Sequence, residues 1–125
     1  MSSAAALDSD SRGRILLVED EEVVRDVVTM MLEQHGFEVV AVEDALAALS
    51  ACRDAGHFDL LLTDLVMPSM NGVELAAAVR EQAPSTRVVY MSGYSAEDVV
   101  DSSPRVQKPF TSGELIAALE SSLAA

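Results

Sequence analysis

Short apolar segments alternate with amphipathic segments along most of the chain, and this alternation restricts the fold more than any other feature. The apolar segments lie at residues 14–18, 37–42, 58–64 and 86–91, and we predict a brief fifth strand at residues 105–107. Such continuous apolar runs are typical of parallel strands that are covered on both faces. Because parallel neighbours need a crossover connection, usually a helix, we predict an α/β domain with a parallel sheet and helices on both faces.

The segments between these strands carry helix signals. We predict helices at residues 21–35, 43–55, 71–82 and 95–101, and a last one that begins at residue 111. Gly36 ends the first helix, and Asn71 with Glu74 and Thr111 with Glu114 are spaced as capping boxes. The predicted apolar faces are Val23, Val24, Val27, Val28, Met31 and Leu32 in the first helix; Leu46, Leu49 and Cys52 in the second; and Leu115, Ile116, Leu119 and Leu123 in the last.

The length allows one folded domain. The chain has 125 residues, of which 50% are hydrophobic, so it can bury a full core. Residues 1–13 are rich in Ser, Ala and Asp, and we predict a flexible leader or linker there, followed by a domain at 14–125. The single cysteine, Cys52, cannot form an internal disulfide.

The charge balance excludes several classes of partner. Eight Lys and Arg residues against 21 Asp and Glu residues give a net charge of −13. This charge opposes direct binding to nucleic acids and to anionic lipid surfaces. No apolar run is long enough to span a membrane, and the first residues lack the pattern of a signal peptide. We therefore expect a cytoplasmic protein without membrane insertion.

Polar residues follow four of the predicted strands. Glu19 and Asp20 follow the first strand, Asp64 ends the third, Ser92 follows the fourth and Lys108 follows the fifth. Carboxyl ends of parallel strands share one edge of the sheet, where ligands bind in open α/β folds. One lysine cannot offset three clustered carboxylates, whereas a hard cation such as Mg²⁺ can. The residues therefore suit metal-assisted phosphoryl chemistry.

Each acid also has a purely structural interpretation. Asp64 alone could be a helix cap or a solvated loop acid, and Glu19 and Asp20 could only cap the first helix. Capping explains one acid after the first strand. It does not explain why Asp64, Ser92 and Lys108 fall at the same edge.

Four motifs in register carry a resemblance to a known family. ILLVEDEE, LLLTDLVMPSMNG, VVYMSGYS and QKPF occur in this order on the β/α alternation. Together they resemble the receiver domain of two-component response regulators, over residues 14–125. The resemblance implies a flavodoxin-like (CheY-like) doubly wound sheet of five parallel strands in the order 2-1-3-4-5. The MSGY and QKPF motifs also resemble receivers attached to hybrid histidine kinases.

The resemblance implies a function in a phosphorelay. The chain would accept a phosphoryl group on Asp64 from a phosphohistidine of a histidine kinase or a histidine phosphotransfer protein. It would act as a signalling switch and not as a turnover enzyme. Asp20 would bind Mg²⁺ directly and Glu19 through water, and Asp64 with the backbone carbonyl of Val66 would complete the protein ligands.

The remaining roles concern the phosphoryl group. Lys108 would pair with its oxygens, held by a bond to Pro109 that is cis in relatives. Ser92 would donate a hydrogen bond to the phosphoryl group, and that movement would be the switch. Val66 and Tyr94 flank the acceptor, and we expect these two side chains to hinder hydrolysis and prolong the life of the aspartyl phosphate.

Two departures from the family pattern affect the switch. Arg105 stands where relatives carry an aromatic residue, three positions before Lys108. The segment between Ser92 and Lys108 is shorter than usual, so we predict a shortened fourth helix. Relatives use this region for dimerisation or output, and we therefore expect a monomer without a phosphorylation-driven dimer on that face.

Two other functions fit parts of the pattern. A receiver-like docking module that works without phosphorylation would explain Arg105, although the intact acids and Lys108 argue against it. A haloacid dehalogenase-like phosphohydrolase would also use an aspartyl nucleophile. Such enzymes carry a second Asp two positions after the first, and Val66 stands there instead.

Overall fold

A computed structural model describes residues 12–68, 70–93 and 104–124, in which five parallel strands form one sheet. The strands are β1 (Arg14–Val18), β2 (Glu38–Val42), β3 (Leu60–Asp64), β4 (Arg87–Ser92) and β5 (Arg105–Gln107). Their order is β2-β1-β3-β4-β5, and every pairing is parallel. The predicted α/β class, the parallel sheet and the order 2-1-3-4-5 are confirmed.

Helices cover both faces of the sheet. Within the described ranges they are α1 (Glu22–Gln34), α2 (Ala45–Asp54), α3 (Gly72–Gln82) and α4 (Ser112–Ala124). Successive strand residues point to opposite faces, so Leu16 and Val18 pack towards α2 and α3, whereas Ile15 and Leu17 pack towards α1 and α4. The short helix expected at residues 95–101, which was to be the shortened fourth helix, lies outside the described residues.

The central strand β3 ends in Asp64, one of the predicted site residues. All five of its residues are buried, because β1 and β4 flank it and helices cover both faces. Its last residue is Asp64, which is 4% exposed. The fold therefore presents a nearly buried carboxylate at the middle of the carboxyl edge of the sheet.

Local signals in the sequence set the helix ends. Gly36 follows α1 with a φ of 89°, a conformation that glycine adopts without strain. Asn71 and Glu74 form the expected capping box, with hydrogen bonds of 3.0 and 2.8 Å. Thr111 and Glu114 form the same reciprocal pair at 2.8 and 3.1 Å. These three predictions are confirmed.

The predicted face of α2 is partly wrong. Leu46 is 72% exposed, whereas Ala45 and Ala48 are buried and Leu49 is partly buried. The helix turns small residues towards the sheet, and alanines allow a closer approach than leucine does. In α1, Val23 and Val27 of the predicted face are likewise exposed, at 74% and 43%.

The two leucines of α2 should differ in their contribution to stability. We expect Leu46→Gln to change the free energy of unfolding by less than about 0.5 kcal/mol, because its side chain is in water. Leu49→Gln should lower it by about 1–2 kcal/mol, because it removes apolar contact with the core. Urea unfolding of both variants checks this, and equal losses would contradict the assigned helix face.

The described chain begins in contact with the domain. The Arg12 N–H donates to the carbonyl of Gly36 at 2.9 Å, and the Arg12 guanidinium pairs with Glu120 of α4. The boundary between a leader and a domain at residue 13 remains a prediction, because residues 1–11 lie outside the described part. No helix in the described ranges combines the length and the apolar character that crossing a membrane requires.

Candidate functional site

Four charged side chains meet at the carboxyl edge of the sheet. One carboxylate oxygen from each of Glu19, Asp20 and Asp64 lies within 4.8 Å of the other two. Lys108 Nζ lies 2.7 Å from Glu19 Oε1 and 2.7 Å from Asp64 Oδ1. The strands bring these residues together because β1 and β3 are neighbours and Lys108 follows β5 at the same edge.

Glu19 is the most enclosed member of this cluster. Its side chain is fully buried, and both carboxylate oxygens have partners. Oε1 accepts from Lys108 Nζ, and Oε2 accepts from the Glu21 N–H at 3.1 Å. The Glu19 carbonyl accepts from Arg25 Nη1 at 3.0 Å, so its backbone is held as well. Glu19 is therefore fixed, whereas the neighbouring Asp20 is exposed.

Burial and proximity shift the acid strengths of the cluster. Burial, followed by contact with Glu19, raises the pKa of Asp64 from 3.8 to about 7, against the opposing influence of Lys108. Burial alone would raise the pKa of Glu19, but hydrogen bonds with Asp64, Lys108 and the Glu21 N–H lower it overall. Burial disfavours the Lys108 cation, yet its bonds to both acids raise the pKa of Lys108. Without a further cation, the cost of holding charge at this edge falls mainly on Asp64, the acid whose pKa is raised.

A small polar cavity opens over these residues. It has a volume of about 270 Å³ and is lined by Asp20, Glu21, Asp64, Val66, Met91, Gly93 and Lys108. Val66 stands on its rim and is 60% exposed. Ser92, the last residue of β4, is buried and follows Met91, the register partner of Asp64. The structure thus brings together at one edge the predicted site residues that it describes: Glu19, Asp20, Asp64, Val66, Ser92 and Lys108.

The donor set suits a hard divalent cation. Asp20 and Asp64 both line the cavity and supply carboxylate oxygens, the ligands that Mg²⁺ prefers. Both oxygens of Glu19 are already engaged, which leaves this residue better placed to act through water than to bind directly. The residues present therefore fit Mg²⁺ at this cavity.

Lys108 is held from its backbone as well as from its side chain. Its N–H donates to the Ser92 carbonyl at 2.7 Å, which continues the pairing between β4 and β5. The peptide bond that follows, to Pro109, is cis, as the resemblance implied.

Two residues contact the Asp64 backbone in ways that were not predicted from the sequence. Thr63 donates from Oγ1 to the Asp64 carbonyl at 3.1 Å. Gly72 lies against the same carbonyl, and a Cβ there would be 2.3 Å from its oxygen. The glycine at the start of the helix was visible in the sequence, but its contact with Asp64 depends on the path of the loop between them.

An apolar groove adjoins the polar cavity. It has a volume of about 460 Å³ and runs along α1 towards the loop after β5. Its apolar walls are Val23, Val24, Val27, Val28, Met31, Pro109 and Phe110. Gly93 and Lys108 line both the groove and the cavity, so the two are adjacent. The exposed valines of α1 therefore lie on a surface that leads to Asp64.

The structure describes only one of the two residues around the switch that the sequence analysis singled out, Arg105 and Tyr94. Arg105 is exposed on β5, and its register partner on β4 is the fully buried Tyr90. Tyr94, which was expected to shield the acceptor, lies outside the described residues.

The fold and the site together define a class of protein: a doubly wound α/β domain with an acidic, lysine-paired site at the carboxyl edge of its sheet. Comparison with known proteins gives the family. The chain belongs to the response regulator receiver domain family, which matches residues 15–120. Receiver domains are signalling domains that interact with histidine kinases or phosphotransfer partners and bind Mg²⁺ at an acidic cluster.

Individual relatives agree with this assignment. The response regulator receiver protein CpdR of Brucella abortus is 32% identical over 118 residues, which cover 90% of this chain and 98% of CpdR. A receiver protein from Sinorhizobium medicae WSM419 is similar in structure, with a TM-score of 0.79 and 32% identity, covering 90% of this chain and 94% of that one.

The receiver domain of the hybrid histidine kinase CckA has a TM-score of 0.76 and 32% identity, with coverage of 89% of this chain and 99% of that one. The chain spans only about half the length of other curated relatives, 51% and 46% in two of them.

Proposed function

We propose that this chain is a phosphoacceptor domain of a two-component phosphorelay that receives a phosphoryl group on Asp64 and thereby switches partner binding. The donor is a phosphohistidine on a histidine kinase or a histidine phosphotransfer protein. The observation that carries the proposal is the position of Lys108 Nζ, 2.7 Å from both Asp64 and Glu19 beside an open polar cavity. A structural ion pair alone would not need a third acid, Asp20, on the same cavity.

The transfer requires little covalent chemistry from the protein. A carboxylate oxygen of Asp64 attacks phosphorus, a P–O bond forms, and the P–N bond breaks with its electron pair going to the imidazole nitrogen. Phosphoryl transfer depends mainly on positioning and on neutralising the charge of the phosphoryl oxygens. Lys108 exchanges its contact with Asp64 for one with a phosphoryl oxygen, and Ser92 donates a hydrogen bond to another.

Mg²⁺ completes the site in this proposal. Asp20, Asp64 and the Val66 carbonyl would hold it directly, and Glu19 would act through water because both of its oxygens are engaged. When bound, the ion neutralises charge on the carboxylates and on the transferring group. With Mg²⁺ present, Asp64 is held ionised, which is the form that a nucleophile needs.

Docking of the donor uses the surface beside the site. The apolar groove along α1 shares Gly93 and Lys108 with the polar cavity, so a partner seated there reaches Asp64. The net charge of −13 favours a partner with basic residues around its apolar contact and disfavours direct nucleic acid binding. The resemblance of MSGY and QKPF supports a donor within a hybrid kinase or a relay protein.

Several consequences follow from this function. The chain acts as an acceptor and not as a turnover enzyme, as a monomer, and in the cytoplasm, where kinases obtain ATP. With Arg105 in place of an aromatic residue, output does not use a phosphorylation-driven dimer on the β5 face. Shielding of the acceptor by Val66 and Tyr94 gives a long-lived aspartyl phosphate.

Mass spectrometry of the intact protein tests the proposal. We expect incubation with acetyl phosphate and Mg²⁺ to add one phosphoryl group to the natural chain and none to Asp64→Asn. Asp54→Asn is the matched control, because Asp54 is an exposed acid at the end of α2. Equal uptake by Asp64→Asn would refute the assignment of the acceptor.

A docking module that works without phosphorylation is the second candidate. The observation in its favour is Arg105, which stands on β5 where relatives carry the aromatic residue of their switch. This candidate predicts no uptake by the natural chain under any Mg²⁺ concentration, so the same experiment separates the two functions.

A further inference from the structure

The peptide unit between Asp64 and Leu65 is held from both sides. Its N–H, from Leu65, donates to the Met91 carbonyl at 3.0 Å, so the pairing of β3 with β4 continues past the strand. Its carbonyl, from Asp64, accepts from Thr63 Oγ1 at 3.1 Å. Thr63 and Leu65 are fully buried, so bulk water does not compete for these bonds. The backbone is fixed where the Asp64 side chain leaves it.

Gly72 closes over the same peptide unit. Its N–H donates to the Leu65 carbonyl at 2.8 Å. A Cβ at Gly72 would lie 2.3 Å from the Asp64 carbonyl oxygen and 3.1 Å from Leu65 Cα, distances that are too short for the present backbone. The capping box of Asn71 holds the start of α3. Strain from a larger residue would therefore fall on the Asp64 backbone as well as on the helix.

These backbone contacts differ in kind from the contacts of the Asp64 side chain. Lys108 and Glu19 touch the carboxylate, and their contacts must rearrange when a phosphoryl group arrives. Thr63 Oγ1 contacts the Asp64 carbonyl and the Met67 sulfur, and Gly72 lies against the peptide unit. None of these contacts involves the carboxylate that makes the new bond. A displacement of 1 Å from the attack geometry can slow a reaction roughly 100-fold. Constant backbone contacts would keep the nucleophile in place while its side-chain partners change.

We propose that Thr63 and Gly72 are positioning residues that fix the Asp64 backbone for phosphoryl transfer. This inference rests on the function proposed above. The hydroxyl of Thr63 is the active group. Its one proton can go to the Asp64 carbonyl at 3.1 Å or to the Met67 sulfur at 3.9 Å, and the carbonyl is the nearer and stronger acceptor. At Gly72 the active feature is the absence of a side chain.

Thr63→Val is the most informative variant, because it keeps the shape of the side chain and removes the hydroxyl. Thr63→Ser restores the hydroxyl and serves as the conservative rescue. Thr86→Val is the matched control. Thr86 is also buried and donates from Oγ1 to a backbone carbonyl, that of Phe58, at 2.8 Å, but it precedes β4 at the opposite edge of the sheet.

The rate of phosphoryl uptake is measured as a function of acetyl phosphate concentration. We expect Thr63→Val to lower the maximal rate about tenfold without changing the half-saturating donor concentration, since the groups that contact the donor are intact. Thr63→Ser and Thr86→Val should stay within about twofold of the natural chain. A Thr63→Val rate equal to that of Thr86→Val would overturn the inference.

Gly72→Ala should lower the maximal rate further, by about 100-fold. If this variant does not fold, the rates measured for Thr63→Val test the inference by themselves.

A second measurement, amide hydrogen exchange of Leu65, does not depend on phosphorylation. Thr63→Val should speed this exchange at least tenfold more than Thr86→Val does, and equal exchange would overturn the inference even in a chain that accepts no phosphoryl group. Absence of uptake by the natural chain would instead count against the proposed function.

Discussion

Lys108→Ala is expected to destabilise the metal-free protein by about 3 kcal/mol, because it leaves Glu19 as a fully buried carboxylate without its cation. The loss should be smaller at saturating Mg²⁺, because the variant lacks the lysine cation that competes for the acids, binds the ion more tightly than the natural chain and so gains more stability from it. Urea unfolding with and without Mg²⁺ measures both values. The rate of phosphoryl uptake should fall at least 100-fold, because Lys108 stabilises the charge on the transferring group and losing one such group typically has an effect of about this size.

The control for this variant is Arg53→Ala. Arg53 pairs with Asp54 at 3.3 Å, but both side chains are about two-thirds exposed, at 66% and 67%. An exposed pair contributes less than about 1 kcal/mol, so this loss should be slight and independent of Mg²⁺. If Lys108→Ala cost no more than Arg53→Ala, the cluster at the sheet edge would not depend on its lysine.

Asp64→Asn is expected to stabilise the metal-free protein at neutral pH. The pKa of Asp64 is raised from 3.8 to about 7, so the folded state keeps a proton that the unfolded state releases. Below the pKa that Asp64 has in the unfolded chain, the carboxyl is protonated in both states and folding loses nothing. As pH rises to and through the pKa of the folded state, the folded protein loses stability relative to the unfolded chain, which is already ionised. Asparagine stays neutral, so the variant should gain about 2 kcal/mol over the natural chain above pH 7 and much less near pH 4.

Unfolding free energies of the two proteins, measured across this pH range without Mg²⁺, give the difference directly. Because Glu19 and Asp64 interact, the change belongs to the pair and should extend over more than one pH unit. Saturating Mg²⁺ should reverse the order, since the natural chain binds the ion more tightly. A difference that is independent of pH, or unchanged by Mg²⁺, would contradict the account of a repelling acid cluster.

Much of the fold follows from local patterns in the sequence. The apolar run of β3 appears in the structure because a short apolar segment between helices has few alternatives. The brief strand β5, predicted at residues 105–107, also forms and pairs with β4. The capping pairs at Asn71 and Thr111 are equally local. The meeting of Asp20, Asp64 and Lys108 follows from the rule that parallel strands share a carboxyl edge.

Other features depend on contacts between distant parts of the chain. Helical spacing alone cannot tell Leu46 from Leu49, because the choice depends on how closely α2 approaches the sheet. The burial of Glu19 requires Lys108, which is 89 residues away. Gly72 meets the Asp64 carbonyl only because the intervening loop returns to the strand end. Such contacts become visible only with the folded chain.

The most direct test of the central claim locates the phosphoryl group on the chain. After incubation with acetyl phosphate and Mg²⁺, borohydride reduces an aspartyl phosphate to homoserine, which peptide mass spectrometry identifies at a single residue. We predict homoserine at position 64, within the peptide that contains β3, and at no other acid of the chain. Homoserine at Asp20 or at another acid, with Asp64 intact, would contradict the claim that Asp64 is the acceptor.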